Sequence, residues 1–365
     1  MTGARMTRAG RRRSTRQLAL ALVGLGVSAL AVWLAIRGVD LGRTAQILGR
    51  ISPGPIAVVV VALVVQLLVR SARWSRLLPT GRRNSIPVWR LVPVVLVGYL
   101  GNTVLPARLG DPVRALLVGR REAVPASGAF GSVILERTID TLTLALLVFP
   151  AAALSGAPAW FVRAAAFAAI LAGTVLIAAQ TRLPVRAVGP LRARLAVGDT
   201  ATGGGRDHRW MPWLDRADLF FSAMNAAGRR RAVLTAVGLS FFAWILDGTI
   251  YWATASSLGI DLPPAGAMLV SAITVLGTAI PSAPGYVGTF ELAASTIAVG
   301  LRVAPEPALA FAVLVHALTV LPLALGGVGS LAWMGARFGD LARVAAGEPA
   351  PAPDSPSAPA EATAR

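Results

Sequence analysis

The segment over 100–114 reads LGNTVLPARLGDPVR, and it decides how this chain folds. A short apolar run over 91–105 enters the segment, but Gly101 and Asn102 interrupt this run and Pro106 stops it. The run is too short for an ordinary membrane span, which needs about 20 apolar residues. Backbone groups that Gly and Pro leave unpaired cannot face lipid. The segment therefore predicts a broken, re-entrant helix that enters and leaves a membrane by the same face.

A second stretch, 276–291, reads LGTAIPSAPGYVGTFE and repeats the same order of residue types. It lies in the middle of a long apolar region, where Pro281, Pro284, Gly285 and Gly288 break the pattern. Paired broken segments in the two halves of a membrane protein are the best sequence pointer to a transport site. The match predicts two opposed hairpins and an inverted repeat. Chance similarity between Gly- and Pro-rich stretches is the alternative.

The composition supports a membrane protein. Of the 365 residues, 55% are hydrophobic and 14% are charged, against about 25% charged in soluble domains. The mean hydropathy is +0.66. These values exclude a soluble enzyme and a disordered protein, because the chain has too little polar surface to coat two soluble domains. They predict an all-α fold, a polytopic integral membrane helical bundle.

The apolar runs predict six full spans in addition to the two hairpins, which cover 91–105 and 265–300. The spans are predicted at 17–36, 55–69 with an extension to 78, 126–154, 160–180, 232–258 and 308–334. The predicted organisation is a basic tail over 1–16, a transmembrane domain over 17–336 with a soluble loop at 181–231, and a disordered tail over 337–365 rich in Pro and Ala.

The charge pattern predicts the orientation. The formal net charge is +18, and all 35 basic residues are Arg. If 91–105 is re-entrant, 29 of them lie on one side, whereas a full crossing would move the ten-Arg loop 181–231 to the other side. We therefore expect both termini and this loop in the cytoplasm, with the domain in the plasma (inner) membrane. No nucleic-acid-binding motif accompanies the charge, so we expect no nucleic-acid partner.

The first broken segment carries polar candidates for a binding site. Asn102, Arg108, Asp111 and Arg114 lie within 13 residues of each other, and we expect them at the inner mouth of the bundle. A guanidinium group can bind a phosphate through two parallel hydrogen bonds. The alternative is that these Arg residues only set the topology and reach to the membrane surface.

The predicted span over 126–154 carries ionisable residues near its middle. Glu136 and Asp140 are four residues apart and share a helix face, and Arg137 can reach Asp140. Ionised groups at that depth are costly, which indicates either a polar cavity or a structural ion cluster. Asp247 is a lone acid within another span and a candidate partner for Arg137 or Arg108. We expect Arg137 to pair with Asp140, Glu136 or Asp247.

The chain offers little for metal or redox chemistry. It has no Cys and two His, His208 and His316, so a metal site with Cys or His ligands is not expected. We expect His316 to be packed and hydrogen-bonded rather than catalytic. No nucleotide-binding loop is present in the sequence, so we expect neither a cofactor nor transport powered by the chain's own ATP site.

The ordered set of motifs resembles the lysylphosphatidylglycerol synthase transmembrane, or flippase-like, family over about 17–336. The motifs are Arg70-x-x-Arg73-Trp74, Asn102-x-x-x-Pro106-x-Arg108-x-Gly110-Asp111-x-x-Arg114, Glu136-Arg137-x-x-Asp140 and Pro281-x-x-Pro284-Gly285-x-x-Gly288-x-x-Glu291. The resemblance implies an inner-membrane domain that, in bifunctional synthases, moves aminoacylated lipid between leaflets. Asp111 stands where the family usually has Glu, and Pro112 follows it. No soluble aminoacyl-transferring domain is found in the sequence, so lysyl transfer is not implied.

Three functions remain open from the sequence. The first is a translocator of a phospholipid or a polyprenyl-linked glycan, which binds an anionic lipid headgroup through its Arg residues. The second is a membrane-embedded transferase with Asp111, Glu136 or Asp140 as general base. The third is an accessory subunit that has no catalytic role. For the first, the candidate substrate-binding residues are Asn102, Arg108, Asp111, Arg114, Glu136, Arg137, Asp140, Asp247 and Glu291, and the predicted hairpin breaks are Gly101, Pro106, Gly110, Pro281, Pro284, Gly285 and Gly288.

Overall fold

The computed structural model describes residues 22–80, 85–105, 109–154, 230–278 and 282–335, with five isolated positions between 163 and 174. Within these ranges every regular element is helical. The helices are α1 (Leu22–Ile36), α2 (Leu41–Leu48), α3 (Pro53–Leu77), α4 (Val88–Val104), α5 (Gly110–Glu122), α6 (Ala126–Leu154), α7 (Arg230–Ser257), α8 (Pro264–Gly277), α9 (Thr289–Gly300) and α10 (Pro305–Trp333), with a 3₁₀ turn at Pro284–Tyr286.

Local sequence explains where several helices begin. Pro53 and Pro305 occupy the first positions of α3 and α10, where the missing N–H of proline has no intrahelical partner to lose. Asp40 caps α2, because its side chain accepts a hydrogen bond from the backbone N–H of Arg43 at 3.0 Å. The helices α3 and α10 each contain a long apolar stretch, as a helix needs when it is surrounded by lipid or by other helices.

Among the residues that the structure describes, three helices are long and apolar enough to span a membrane: α3, α7 from Arg231, and α10. The helices α1 and α2 bend by 87° at their junction and together make a fourth candidate. The chain is therefore a helical integral membrane protein, but the predicted count of six spans is not confirmed. The run predicted at 126–154 is a helix with those bounds. The run predicted at 160–180 lies outside the described residues apart from a few isolated positions.

The helices α4 and α5 form a helical hairpin, which we call the first hairpin. The apolar run predicted at 91–105 lies in its first arm, α4. At its open end, Arg90 of α4 pairs with Glu122 of α5 at 3.4 Å. Near its tip, a side chain on Gly101 would lie 2.7 Å from the Cα of Gly110, so the two helices touch through backbone. The hairpin is thus longer than the predicted 91–105, because α5 provides a helical return arm.

The second hairpin consists of α8, the 3₁₀ turn and α9. A Cβ on Gly277 of α8 would lie 2.9 Å from the Cβ of Ala293 on α9, which makes the two arms closely packed. Gly285 and Gly288 in the connecting segment have φ angles of +76° and +90°. Only glycine adopts these angles readily, so both residues shape the turn. Pro281 lies outside the described residues.

The long helices α3 and α7 pack against each other in antiparallel directions. Their opposite ends meet where the backbone N–H of Ser52 donates to the carbonyl of Ser257 at 2.8 Å. Each hairpin follows the C-terminal end of its own long helix, so the two hairpins point toward each other from opposite ends of the bundle. Their tips touch, since a Cβ on Gly285 would lie 3.9 Å from the Cγ2 of Thr103.

The two halves of the chain share one plan. In each half a long helix is followed by a hairpin and then by a second long helix: α3, α4–α5 and α6, then α7, α8–α9 and α10. The packing also corresponds, because α4 lies on α10 as α8 lies on α6, and α5 lies on α6 as α9 lies on α10. The junction between the halves is therefore the place where both hairpin tips meet.

Candidate functional site

Arg73 lies at the centre of a buried ion network next to this junction. It is 0% exposed. Its Nη2 donates to Oε1 of Glu136 at 2.7 Å, its Nη1 donates to Oγ of Ser240 at 2.6 Å, and it also pairs with Asp140. The cluster ties α3 to α6 and α7. A buried cation requires such partners because removal from water costs several kcal/mol.

Arg114 belongs to the same network. It is 5% exposed, and its Nη2 lies 3.1 Å from Oε2 of Glu136, while its Nε lies 3.5 Å from Oδ1 of Asp111. Its guanidinium also lies 4.9 Å from the ring centroid of Trp74, a distance suited to a cation–π contact. Sequence analysis placed Arg114 at the inner mouth, whereas the structure buries it. The reason is that Arg114 is in the second turn of α5, close to the hairpin tip.

Arg137 pairs with Asp111, so the predicted pairing with Asp140, Glu136 or Asp247 was wrong. Its Nη2 donates to Oδ1 of Asp111 at 2.7 Å and its Nε donates to Oδ2 at 3.0 Å. The prediction considered neighbours along α6 and isolated acids, and it did not foresee that α5 returns beside α6. This two-bond geometry is the strong form of an Arg–carboxylate pair.

Asp111 is held in its ionised form. Its helix, α5, is not among the candidate spans. Burial raises the pKa of the Asp111 carboxyl, but the guanidinium groups of Arg114 and Arg137 outweigh burial and lower it to about 2. The side-chain amide of Asn102 also donates to Asp111 at 3.3 Å. Asp111 therefore fixes Asn102 and Arg137 rather than acting as a free base.

A cavity of about 200 Å³ lies where the two hairpin tips meet the long helices. The charged and amide side chains that line it are Gln66, Arg70, Asn102, Arg137 and Asp247. Tyr99 and Thr103 come from the first hairpin, and Tyr286 comes from the second, so both broken segments contribute. We refer to this space as the tip cavity.

Arg70 is the charged cavity residue that sequence reasoning missed. Its guanidinium lies 5.1 Å from the ring centroid of Trp244. Within the described part of the chain, no carboxylate lies at ion-pair distance from it, because the acids of the network are taken by Arg73, Arg114 and Arg137. The signal was present in the Arg70-x-x-Arg73 motif, but both residues were counted as loop charge when the topology was predicted. Both lie in α3.

Asp247 faces the same cavity and is bonded to uncharged groups. It accepts from Nε2 of Gln66 at 2.9 Å and from Oγ of Ser271 at 2.5 Å. It pairs with no Arg among the residues that the structure describes. Asp247 therefore does not pair with Arg137, the partner that the sequence had suggested. Its donors are the side-chain amide of Gln66 and the hydroxyl group of Ser271.

Glu291 lies apart from the ion network. Its Oε2 accepts from the backbone N–H of Gly288 at 2.7 Å, and its Oε1 lies 2.5 Å from Nδ1 of His316. The other ring nitrogen of His316 lies 2.8 Å from the carbonyl oxygen of Gly285. His316 is therefore packed and hydrogen-bonded, as expected, and it connects α10 to the tip of the second hairpin.

The predicted residues thus divide into groups. Asn102, Arg137 and Asp247 line the tip cavity, whereas Asp111, Arg114, Glu136 and Asp140 form the ion network beside it. Glu291 belongs to neither group. Arg108 and Pro106 lie outside the described residues.

The match to a known family fits this architecture. Residues 21–327 match the family described as the lysylphosphatidylglycerol synthase TM region. The chain belongs to this family. The family resemblance drawn from the motifs is confirmed, and the matched range contains both hairpins and every residue that lines the tip cavity.

Two relatives are named as a glycosyltransferase and as a membrane protein. The chain is 30% identical to "Glycosyltransferase AglD" of Haloferax volcanii over 351 residues, which cover 88% of this chain and 55% of that protein. It is 27% identical to a "UPF0104 membrane protein" of Methanothermobacter thermautotrophicus over 286 residues, which cover 74% of this chain and 82% of the relative. The chain therefore spans little more than half the length of the named glycosyltransferase.

Proposed function

We propose that this protein moves a membrane lipid with a phosphate-bearing headgroup, either a phospholipid or a lipid-linked glycan, between the two leaflets. The observation that carries the proposal is Arg70 in the tip cavity, a cation with no carboxylate partner among the described residues. A second cation, Arg137, lines the same space with 40% of its side chain exposed. Two guanidinium groups in one small cavity suit a phosphate.

The meeting of the two hairpins supports transport rather than static binding. Broken backbone is tolerated at membrane depth only where it is buried in protein or lines a water-filled cavity. Inverted repeats with broken helices that meet at a central site are a recurring plan of transporters. In the proposed arrangement the hairpins are re-entrant from opposite faces, the headgroup enters the tip cavity, and the acyl or prenyl tails stay in the bilayer.

The ion network has a supporting role in this proposal. Arg73 and Arg114 each form ion pairs with two carboxylates, so in this proposal they hold α3, α5 and α6 in place rather than bind the headgroup. Asn102, Arg137 and Asp247 are the sequence-predicted residues that we retain as headgroup contacts. Arg108 stays a sequence prediction. Glu291 is removed from the proposed headgroup site because it does not line the tip cavity.

A membrane-embedded transferase is the second candidate, favoured by the name of the Haloferax volcanii relative, a glycosyltransferase. Of the predicted general bases, Asp111, Glu136 and Asp140 are each paired with an Arg residue, so none of these three carboxylates is free. Asp247 is the carboxylate that lines the tip cavity in the described part of the chain. A transferase reading therefore requires Asp247 as the base, and Asp247→Asn tests it with lipid and an activated sugar as substrates.

The main test uses purified full-length protein in liposomes. A fluorescent phospholipid and a fluorescent polyprenyl-phosphate lipid are assayed separately for movement to the outer leaflet by quenching. Arg70→Ala is expected to slow the movement at least about tenfold, since a charge-assisted phosphate contact contributes about 1.5–3 kcal/mol. Arg76→Ala is the matched control, because Arg76 is on the same helix and exposed. Equal movement by the wild type and Arg70→Ala, or movement of neither lipid, contradicts the proposal.

A further inference from the structure

We infer that His316 and Glu291 form a proton-binding site that fixes the tip of the second hairpin, and that release of this proton frees the tip beside the cavity. The inference rests on the proposed function, because it names the proton as the ion that regulates the headgroup site. Its evidence is separate, since neither residue lines the tip cavity.

The two ring nitrogens of His316 each face an acceptor. Nδ1 lies 2.5 Å from Oε1 of Glu291, and Nε2 lies 2.8 Å from the carbonyl oxygen of Gly285. The ring also stacks on Phe290, with centroids 4.2 Å apart and planes 11° apart. The ring cannot rotate away without losing all three contacts, so these partners define its position.

This arrangement requires one proton more than a neutral imidazole and an ionised carboxylate possess together. A carbonyl oxygen only accepts, so Nε2 must carry a hydrogen. The 2.5 Å contact between Nδ1 and Oε1 is a hydrogen bond only if a second hydrogen lies between these atoms, carried either by Nδ1 or by the carboxyl group. Loss of that hydrogen sets two acceptors against each other. The pair then gives up either the Glu291 contact or, by changing tautomer, the Gly285 contact.

Both of these contacts hold the second hairpin to α10. Gly285 is in the 3₁₀ turn with φ +76°, and Glu291 also accepts from the backbone N–H of Gly288, where φ is +90°. Tyr286, between these glycines, lines the tip cavity. Loss of the shared proton therefore loosens the segment that forms one wall of the cavity.

The first half of the chain has a permanent version of the same contact. Arg137 lies eleven residues after Ala126, the first residue of α6, and His316 lies eleven residues after Pro305, the first residue of α10. Each of these cations binds an acid in the first turn of the neighbouring hairpin arm, and the partners are separated by 26 and 25 residues.

An Arg keeps its charge at every physiological pH, whereas a His changes charge between about pH 5 and 8. The structure thus makes one hairpin permanently fixed and the other dependent on protonation.

Other ionisable groups lie on the elements around α10 but do not bond to the His316 ring. They are Tyr99 on α4, Asp247 and Tyr251 on α7, Tyr286 in the 3₁₀ turn and Arg43 on α2. In the described part of the chain, the ring nitrogens have Glu291 and Gly285 as their hydrogen-bonding partners. Titration of the site is therefore assigned to the His316–Glu291 pair.

The first test measures the proton directly. The chain has two His residues, so His208→Gln leaves His316 as the sole imidazole. Full-length protein with ¹⁵N-labelled His in lipid nanodiscs is followed by NMR from about pH 5 to 9. The ring-nitrogen signals are expected to change as the shared proton leaves, and Glu291→Gln is expected to change the course of the titration. Signals that stay constant over this range overturn the inference.

The second test measures release of the tip. The chain has no Cys, so Thr103→Cys places a single thiol opposite Gly285. Its rate of maleimide labelling is compared with that of the same Cys in a His316→Gln background, which shares the intrinsic pH dependence of thiols. The ratio of the two rates is expected to change about tenfold with pH, since one hydrogen bond to a charged group shifts a local equilibrium by about this factor. A ratio independent of pH overturns the inference.

Neither readout depends on lipid movement. A site that titrates in a protein that moves no lipid supports the proton site and contradicts the proposed function. Lipid movement without titration at His316 contradicts the proton site alone. A His316→Gln variant that fails to fold leaves the NMR experiment on His208→Gln as the deciding measurement.

Discussion

Arg73 on α3 donates from Nη2 to Oε1 of Glu136 on α6 at 2.7 Å, and neither side chain has appreciable contact with solvent. The pair connects the first long helix of the bundle with the helix that follows the first hairpin. Because Arg73 also binds Asp140, one guanidinium group compensates two buried carboxylates. This contact stabilises the fold, whatever role it has in function.

We predict that Arg73→Ala prevents accumulation of folded protein. The change leaves Asp140 without its Arg partner and Glu136 with Arg114 alone. Removing one member of a buried ion pair costs about 3–5 kcal/mol, which is a large part of the stability of a domain. The measurement is the fraction of monodisperse protein after detergent extraction, followed by a thermal unfolding scan.

Arg90→Ala is the matched control for that experiment. Arg90 pairs with Glu122 at 3.4 Å, but its side chain is 51% exposed. Exposed pairs contribute about 0–1 kcal/mol, so this variant is expected to behave as the wild type. Equal yields of folded protein for Arg73→Ala and Arg90→Ala would show that the buried network does not determine stability.

We predict an intermediate loss of stability for Arg137→Ala. Removing one member of a buried ion pair so that its partner is left unpaired costs about 3–5 kcal/mol. In the structure Asp111 keeps Arg114 as a second partner, so the cost falls to about 1–3 kcal/mol, the range for a lost hydrogen bond to a charged group. Thermal unfolding should rank the variants in the order wild type, Arg137→Ala, Arg73→Ala. The reverse order of the two variants contradicts the assignment of partners.

We predict that Gly110→Ala disrupts the first hairpin. A Cβ at this position would overlap the carbonyl oxygen of Gly98 and lie 2.8 Å from Oδ1 of Asn102. Overpacking of this kind typically costs about 1–3 kcal/mol. Gly238→Ala is the control, because nothing lies within 4 Å of a Cβ there, and alanine stabilises a helix interior by about 0.5–1 kcal/mol. Unfolding temperatures that move in the same direction for both variants would refute the close approach of α4 and α5.

We predict that both termini and the loop over 181–231 are cytoplasmic. This prediction comes from the Arg distribution, and most of those residues lie outside the described ranges. Reporter fusions after Arg206 and Glu348, one active in the cytoplasm and the other in the periplasm, provide the measurement. Periplasmic activity at either position is incompatible with the predicted orientation.

Helix positions were well predicted from sequence because apolar runs and Pro signals are local. The run at 126–154 became α6 with the same bounds, and the run at 308–334 became α10 over Pro305–Trp333. The meeting of the two broken segments was also foreseen, since unpaired backbone at both tips needs mutual burial. The return arm α5 was missed because its five charged residues made it resemble a loop.

Partners in the ion network were beyond sequence reasoning because they depend on which helices lie side by side. Arg73 and Glu136 are separated by 63 residues, and no local spacing relates them. The same argument explains why Arg114 was placed at a surface. An Arg inside a helical bundle and an Arg in a cytoplasmic loop are the same residue in the sequence, and only the packing of the helices distinguishes them.

The antiparallel pairing of α3 and α7 has a consequence for direction. In the proposed arrangement, with hairpins that are re-entrant from opposite faces, the two halves would present similar backbones to the two sides of the membrane, and the scaffold alone would give no preference for inward or outward travel. Vectorial transport requires side chains that differ at equivalent places. Arg137 and His316 are such a difference, which makes the polarity of the molecule a property of single substitutions rather than of its architecture.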